Sequence, residues 1–226
     1  MQKLIGIPGY MNGDKTHFGV GIAYMEYISR FGIPVIITPQ HVNNIPDVDM
    51  LYLPGGLDVN PVTFGAIPSY YTQNSNVLLE WWDNKILPQY LKKDTKVLAV
   101  CRSAQQIWAS CGGVITQHND WHEQSKYPEQ ECHTLSFTPL YKQWSKHINK
   151  VTSRHHQCMD GSGYVPDLLE VIAYANEPID KREEERKDIV EMFKVKNKNI
   201  YGMQFHPESH SGTDKLIPWL IKELLK

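Results

Sequence analysis

The chain has 226 residues, enough for one α/β domain with a large core. Its 41% hydrophobic and 21% charged residues exclude a disordered chain, and a net charge of -2 excludes the basic face of a nucleic-acid binder. The first apolar stretch is too short for a signal-peptide core, and no run is long enough to span a bilayer. Cys101, Cys111, Cys132 and Cys158 form neither a C-x-x-C pair nor a dense disulfide framework. The expectation is therefore a reduced, cytoplasmic protein with neither a membrane nor a nucleic acid as partner.

In chain order, residues 4–7, 35–37, 50–53 and 97–100 are short apolar runs bounded by Gly, Pro or polar residues, the pattern of buried strands. Helices are expected between them at 24–31 and 77–90. Strand–helix–strand order implies crossovers and a parallel sheet, with ligands at the carboxyl ends of its strands. The second half differs: 169–174, 189–195 and 200–205 predict strands joined by short loops and paired antiparallel. Residues 213–225 predict a closing amphipathic helix. The charged segment 180–188 reads as a solvated hairpin tip or short helix, with a docking loop as the minor alternative. No repeat or linker divides the chain, so residues 1–226 read as one domain.

The segment Val97-Leu-Ala-Val-Cys101-Arg-Ser-Ala-Gln105 runs from an apolar strand straight into a cysteine, and a helical stretch (105–111) follows. That is the context of a nucleophile elbow, where a sharp turn lifts the side chain above the sheet edge. The helix N-terminus favours a thiolate there. Taken alone, the segment fits better with Cys101 as a small buried hydrophobe at a strand end. The segment Ile200-Tyr-Gly-Met-Gln-Phe-His206-Pro-Glu208 supplies what such a nucleophile needs. Pro207 keeps it out of a helix, so residues two apart face one side. Glu208 can then hold the His206 imidazole in one tautomer and stabilise its cation. A metal is the competing use of these histidines, since His206 and His210, and His118 and His122, are four apart. Pro207 opposes a helix at the first pair, and no H-E-x-x-H motif or cysteine pair accompanies the second. The expectation is no metal and no cofactor, with His118 and His122 on a surface loop.

Together these stretches resemble the class I glutamine amidotransferases, and more closely their stand-alone branch, the γ-glutamyl hydrolases of the peptidase C26 type. The blocks carrying the likeness lie in order along nearly the whole chain. They are Tyr24-Met-Glu-Tyr with Gly32-Ile-Pro-Val, Leu53-Pro-Gly-Gly-Leu-Asp-Val-Asn-Pro61, Val100-Cys-Arg-Ser-Ala-Gln105, Gly112-Gly-Val-Ile-Thr-Gln117, Ser153-Arg-His-His-Gln157 and Gly202-Met-Gln-Phe-His-Pro-Glu208. Two departures stand out. Ala99 and Ser103 occupy the positions two before and two after the cysteine, where the family usually has glycine, and the charged segment 180–188 is longer than the family's usual hairpin.

The resemblance implies a flavodoxin-like α/β domain, with a mostly parallel central sheet flanked by helices and an antiparallel extension in the second half. It also implies cysteine-dependent hydrolysis of a γ-glutamyl amide through a thioester. Carried over by position, Cys101 is the nucleophile, His206 the base and acid, and Glu208 its orienter. The backbone N–H groups of Gly56 and Arg102 form the oxyanion hole, and Gly55, Gln105, His156 and Gln157 hold the substrate. For Gln105, His156 and Gln157 the alternative is that they only satisfy local backbone groups. The implied partner is a small γ-glutamyl molecule. An ammonia-accepting synthetase on a separate chain is the alternative reading, and a weakly active regulatory homologue the third.

Overall fold

In the computed structural model, the described residues are 2–11, 18–73, 75, 77–119, 127, 130–148, 150–162, 165–176, 188–209 and 214–226. The strands are β1 (Leu4–Pro8), β2 (Tyr10–Met11), β3 (Phe18–Gly19), β4 (Ile33–Ile37), β5 (Met50–Leu53), β6 (Lys96–Val100), β7 (Val114–Thr116), β8 (Glu131–Phe137), β9 (Lys150–Thr152), β10 (Cys158–Asp160), β11 (Leu169–Asn176), β12 (Ile189–Val195) and β13 (Ile200–Met203). The helices are α1 (Ile22–Ile28), α2 (Val77–Lys85), α3 (Leu87–Lys92), α4 (Arg102–Ser110) and α5 (Leu216–Leu224).

Strands β4, β1, β5, β6 and β13 lie side by side in that order and all pair in parallel. Numbered along the chain, this is the 2-1-3-4-5 order of a doubly wound sheet. From β13 the sheet continues antiparallel through β12, β11, β8 and β9, with β10 and β7 attached beside β12. The strand at 200–203 therefore joins the two halves, antiparallel to β12 as expected and parallel to β6 on its other edge. The antiparallel wing exceeds the three expected strands because β7–β10 are short or only half-buried. Such strands lack the continuous apolar run that marks a buried one.

Alternation along each central strand divides the core into two faces. On β5 and β6, Met50, Tyr52, Leu98 and Val100 join the cluster beneath α1 and α5. Leu51, Leu53, Val97 and Ala99 join the cluster beneath α2, α3 and α4. The helix expected at 77–90 is two helices. Pro88 lies in the first turn of α3, where its missing N–H costs nothing, whereas inside one continuous helix it would remove a hydrogen bond and clash with the preceding turn. The first helix starts two residues earlier than expected, at Ile22, and ends at Ile28. The last helix runs Leu216–Leu224, and the Asp214 carboxylate accepts hydrogen bonds from the Leu216 and Ile217 N–H groups to cap its first turn. Residues 180–187, His122 and His210 lie outside the described residues. Asp188 is described, and its carbonyl accepts a hydrogen bond from Gly161.

Glycine at 202 is a packing requirement. It sits directly across from Phe193 on β12, and a Cβ there would lie 2.1 Å from Phe193 Cε1. The Phe193 ring is fully buried and meets Trp108 of α4 edge-on at 5.3 Å, so it has no room to retreat. Gly202→Ala should destabilise the protein by about 1–3 kcal/mol. In a urea titration the midpoint should fall with an unchanged slope. An unmoved midpoint would show that the ring can shift at no cost.

Candidate active site

Three neighbouring strands, β5, β6 and β13, deliver their carboxyl ends to one place. The loop after β5 brings Gly55 and Gly56, the end of β6 brings Cys101, and the segment after β13 brings His206 and Glu208. Cys101 has φ +48° and ψ -115°, outside the comfortable regions for an L-residue. Such a backbone costs roughly 1–3 kcal/mol and persists only where its surroundings force it. Here its N–H donates to the Met203 carbonyl at 2.7 Å, continuing the β6–β13 pairing, while its carbonyl accepts from the Gln105 N–H at 3.0 Å inside the new helix. The residue must end a strand and begin a helix in one step. Helix α4 accordingly starts at Arg102, three residues earlier than the sequence suggests. It stops at Ser110, and Gly112 follows with φ +89°, the left-handed conformation that commonly ends helices.

Both small residues at the elbow are accommodated, and Ser103 makes a specific contact. Its buried hydroxyl donates to the Pro54 carbonyl at 2.6 Å, tying the elbow to the 54–56 turn. Ala99 is fully buried among the residues beneath α4. Gly55 must be glycine, since a Cβ there would lie 2.8 Å from both His206 Cε1 and the Tyr24 hydroxyl, and 3.2 Å from Cys101 Cβ. Gly56 follows, close enough to α4 that its Cβ would touch the Arg102 side chain at 3.9 Å. Arg102 is the first residue of α4, so its N–H has no acceptor within the helix. Its side chain turns away to a buried ion pair with Asp83 of α2. Burial pushes the Asp83 carboxyl up, and Arg102 pulls against it.

His206 Nδ1 lies 2.6 Å from Glu208 Oε1, and both side chains are nearly fully buried. The His206 ring also hydrogen-bonds the Cys101 side chain. With Nδ1 facing the carboxylate, Nε2 is the nitrogen left for sulfur. Burial alone would lower the imidazole's pKa. The charges of Cys101 and Glu208, and the hydrogen bonds to both, overcome that and raise it. The raised imidazole is thus the work of its two neighbours acting against its burial. The backbone N–H of His206 donates to Thr152 Oγ1 at 3.0 Å, so the antiparallel wing fixes the backbone at His206.

Two tyrosines that the sequence did not single out for the site complete its base. The Tyr52 hydroxyl donates to Glu208 Oε2 at 3.4 Å. The Tyr24 hydroxyl accepts from the Gly55 N–H at 3.1 Å and lies 3.4 Å from His206 Nδ1. They come from β5 and α1, and nothing in a pattern of apolar positions separates them from ordinary core tyrosines.

Beside the sulfur is a cleft of about 90 Å³ whose lining includes Gly56, Cys101, Gln105, His156 and Gln157, together with Asp58 and Arg154. Several of these polar groups also bond to scaffold. Gln157 pairs both ends of its amide with the Val59 backbone, at 2.8 and 3.1 Å, and so pins the 55–61 turn. Gln105 Nε2 donates to the Gln157 carbonyl at 2.7 Å and to Gln204 Oε1 at 3.1 Å. His156 Nε2 lies 2.8 Å from Asp58 Oδ1. His118, expected as loop surface, instead stacks on Tyr71 with ring centroids 3.9 Å apart, and its Nδ1 lies 3.3 Å from His156 Nδ1. It is half-buried on its loop, next to the cleft residue His156 but not itself part of the lining.

The model of the Peptidase C26 family matches residues 3–208. Protein NtpR of Enterococcus hirae is 25% identical over 99% of this chain and 100% of its own length. The glutamine-hydrolyzing GMP synthase subunit of Methanococcus vannielii is 26% identical over 87% of this chain and 89% of its own. Among solved structures, a GMP synthase subunit protein from Thermoplasma acidophilum superposes with a TM-score of 0.63 at 16% identity, covering 99% of this chain and 94% of that one. PurLQS from Thermotoga maritima gives 0.62 at 13%, covering 100% of both. At those identities the structures speak for the fold. No helix among the described residues is long and apolar enough to cross a membrane. With the family model spanning both the elbow and the His-Pro-Glu segment, the chain belongs to the Peptidase C26 family, within the class I glutamine amidotransferase-like hydrolases.

Proposed function

We propose that this protein hydrolyses γ-glutamyl amide bonds through a Cys101–His206–Glu208 triad. One observation carries the reading: Cys101 sits strained at the head of α4 while its side chain is hydrogen-bonded to an imidazole that Glu208 holds from the other side. In the proposed course the Cys101 thiolate attacks the γ-carbonyl carbon, and the carbonyl electron pair moves onto oxygen. The Gly56 and Arg102 N–H groups receive that oxyanion, which exists only at the tetrahedral stage. Its collapse breaks the C–N bond, and His206 Nε2–H gives its proton to the departing amine. The neutral imidazole then takes a proton from water, hydroxide attacks the thioester, and glutamate leaves as the thiolate returns. Glu208 orients the ring throughout. Gly55 lets the turn pack against both His206 and Cys101, where a Cβ would strike them, and so borders the substrate site, while Gln105, His156 and Gln157 line the glutamyl pocket.

A second reading has its own support. Relatives such as the Methanococcus vannielii protein bear the name of a glutamine-hydrolyzing synthase component. On that reading the same chemistry releases ammonia from glutamine to a synthetase on another chain. The cleft walls favour the stand-alone reading. The 55–61 turn is pinned by Gln157 and Asp58 is held by His156, so the pocket is assembled within one chain.

Of the four cysteines, Cys101 alone should react with a diazo-ketone analogue of glutamine, as mapped by mass spectrometry. Label on Cys111, Cys132 or Cys158 would overturn the assignment. His206→Ala should remove nearly all turnover, by about 10⁴-fold or more, and Glu208→Ala should leave more, because the first deletes the proton carrier and the second only its orienter. Steady-state rates on folded variants check the order, and an equal or larger loss at Glu208 would reverse the roles. The purified chain alone should cleave γ-glutamyl amines faster than glutamine, with released glutamate as the readout. Silence on every γ-glutamyl amine, followed by glutaminase activity once a synthetase is added, would favour the second reading.

A further inference from the structure

We infer that Tyr24 is a positioning residue whose single hydroxyl holds the Gly55 turn and the His206 ring in register. The inference rests on the reading of His206 as the base and adds a residue that the triad does not include.

Hydrogen-bond accounting gives the direction of each contact. With Glu208 ionised, Nδ1 of His206 carries a hydrogen that points to the carboxylate at 2.6 Å. The Tyr24 oxygen, 3.4 Å from the same nitrogen, can then only accept that hydrogen as the longer arm of a three-centre bond. Its other lone pair accepts the Gly55 N–H at 3.1 Å. One neutral oxygen thus bridges the loop that precedes the Gly56 donor and the ring that moves the proton. The bridge is tight, because Gly55 has no Cβ and a methyl group there would strike both His206 and the tyrosine hydroxyl.

The groups facing this pair come from every neighbouring element. They are Cys101 at the end of β6, Glu208 beyond β13, Tyr52 of β5, which donates to Glu208, and Tyr10 of β2, which lies towards Tyr24. Burial first, then the charges of Glu208 and Cys101, hold the Tyr24 hydroxyl well above the ordinary phenol range. It therefore stays neutral over the working pH. A phenolate there would compete with Glu208 for the imidazolium.

The expected consequence has a sign. Nδ1–H is present in both forms of the ring, but its bond to an acceptor is stronger when the ring is charged. Removing the Tyr24 oxygen therefore weakens the imidazolium more than the neutral imidazole, and the protonated form is lost at lower pH. Tyr27 is the control. It sits on the same helix, is buried in the same core, and its hydroxyl has no hydrogen-bond partner among the described residues.

The test is an NMR titration of histidine-labelled protein in wild type, Tyr24→Phe and Tyr27→Phe, with the His206 signal assigned from His206→Gln. Tyr24→Phe should lower the His206 midpoint by about half a unit or more and displace the Gly55 amide resonance, while Tyr27→Phe should do neither. In wild type the Gly55 amide should follow the His206 titration, which tests the bridge even if Tyr24→Phe does not fold. An unchanged midpoint in Tyr24→Phe, an equal shift in Tyr27→Phe, or a Gly55 amide indifferent to the titration would overturn the inference. None of these readouts needs a substrate, so they stand apart from whether the protein cleaves γ-glutamyl amides. Where it does, the alkaline limb of kcat/KM should move down with the His206 midpoint, and KM should hold.

Discussion

The strained backbone at Cys101 is the constraint on which the site depends. An L-residue at φ +48° and ψ -115° reverts to a relaxed conformation unless the chain on both sides is fixed. On one side β6 is locked between β5 and β13 in the middle of the parallel sheet. On the other, α4 is anchored by the buried Arg102–Asp83 pair and by Ser103 on the Pro54 carbonyl. The strain is thus offset by ordinary packing several residues away. Ser103 takes part by holding the elbow and the 54–56 turn at one spacing.

Electrostatics then act in a small buried volume. Cys101, His206 and Glu208 lie side by side, with the Tyr52 and Tyr24 hydroxyls at the Glu208 end. Bringing a lone charge into such a place would cost several kcal/mol, and the order of signs here lets each charge be solvated by its neighbour. The raised imidazole follows from that order, because the two flanking anions outweigh burial. Cys158 also lies near a histidine, 3.6 Å from His155 Nδ1, but it is fully buried and does not line the cleft, whereas Cys101 does.

Much of this is legible in the sequence for a specific reason. The parallel strands are buried on both faces, so they read as continuous apolar runs, and 50–53 coincides with β5 residue for residue. The elbow is readable because a strand, a cysteine and a helix follow one another without a loop. The His-Pro-Glu segment is readable from its residue types but not from its backbone. The sequence reads as extended there, whereas β13 ends at Met203 and Pro207–Ser209 form a 3-10 turn closed by the Ser209 N–H on the His206 carbonyl, since proline is tolerated in the first turn of a helix. Harder features depend on distant partners. Pro88 splits the second helix although the apolar pattern runs through it. The strands β7–β10 form by pairing rather than by burial. Tyr24, Tyr52 and Asp83 acquire their roles only once α1, β5 and α2 are set against the triad and α4. Stacking on Tyr71 likewise leaves the loop residue His118 half-buried, beside His156, rather than free on the surface.

The same dependence decides what the pocket can use for recognition. Gln157 commits both ends of its amide to the Val59 backbone, and Gln105 commits its NH₂ to the Gln157 carbonyl and to Gln204. A side chain fully bonded to scaffold gives a ligand shape but offers it no hydrogen-bonding atom. The polar wall is therefore stiff before any ligand arrives, which lowers the ordering cost of binding. The rest of the lining includes the exposed Arg154 and the paired Asp58 and His156. Of Cys101, His206 and Glu208 only Cys101 is in that lining, so the cleft meets the buried His206–Glu208 pair through the cysteine.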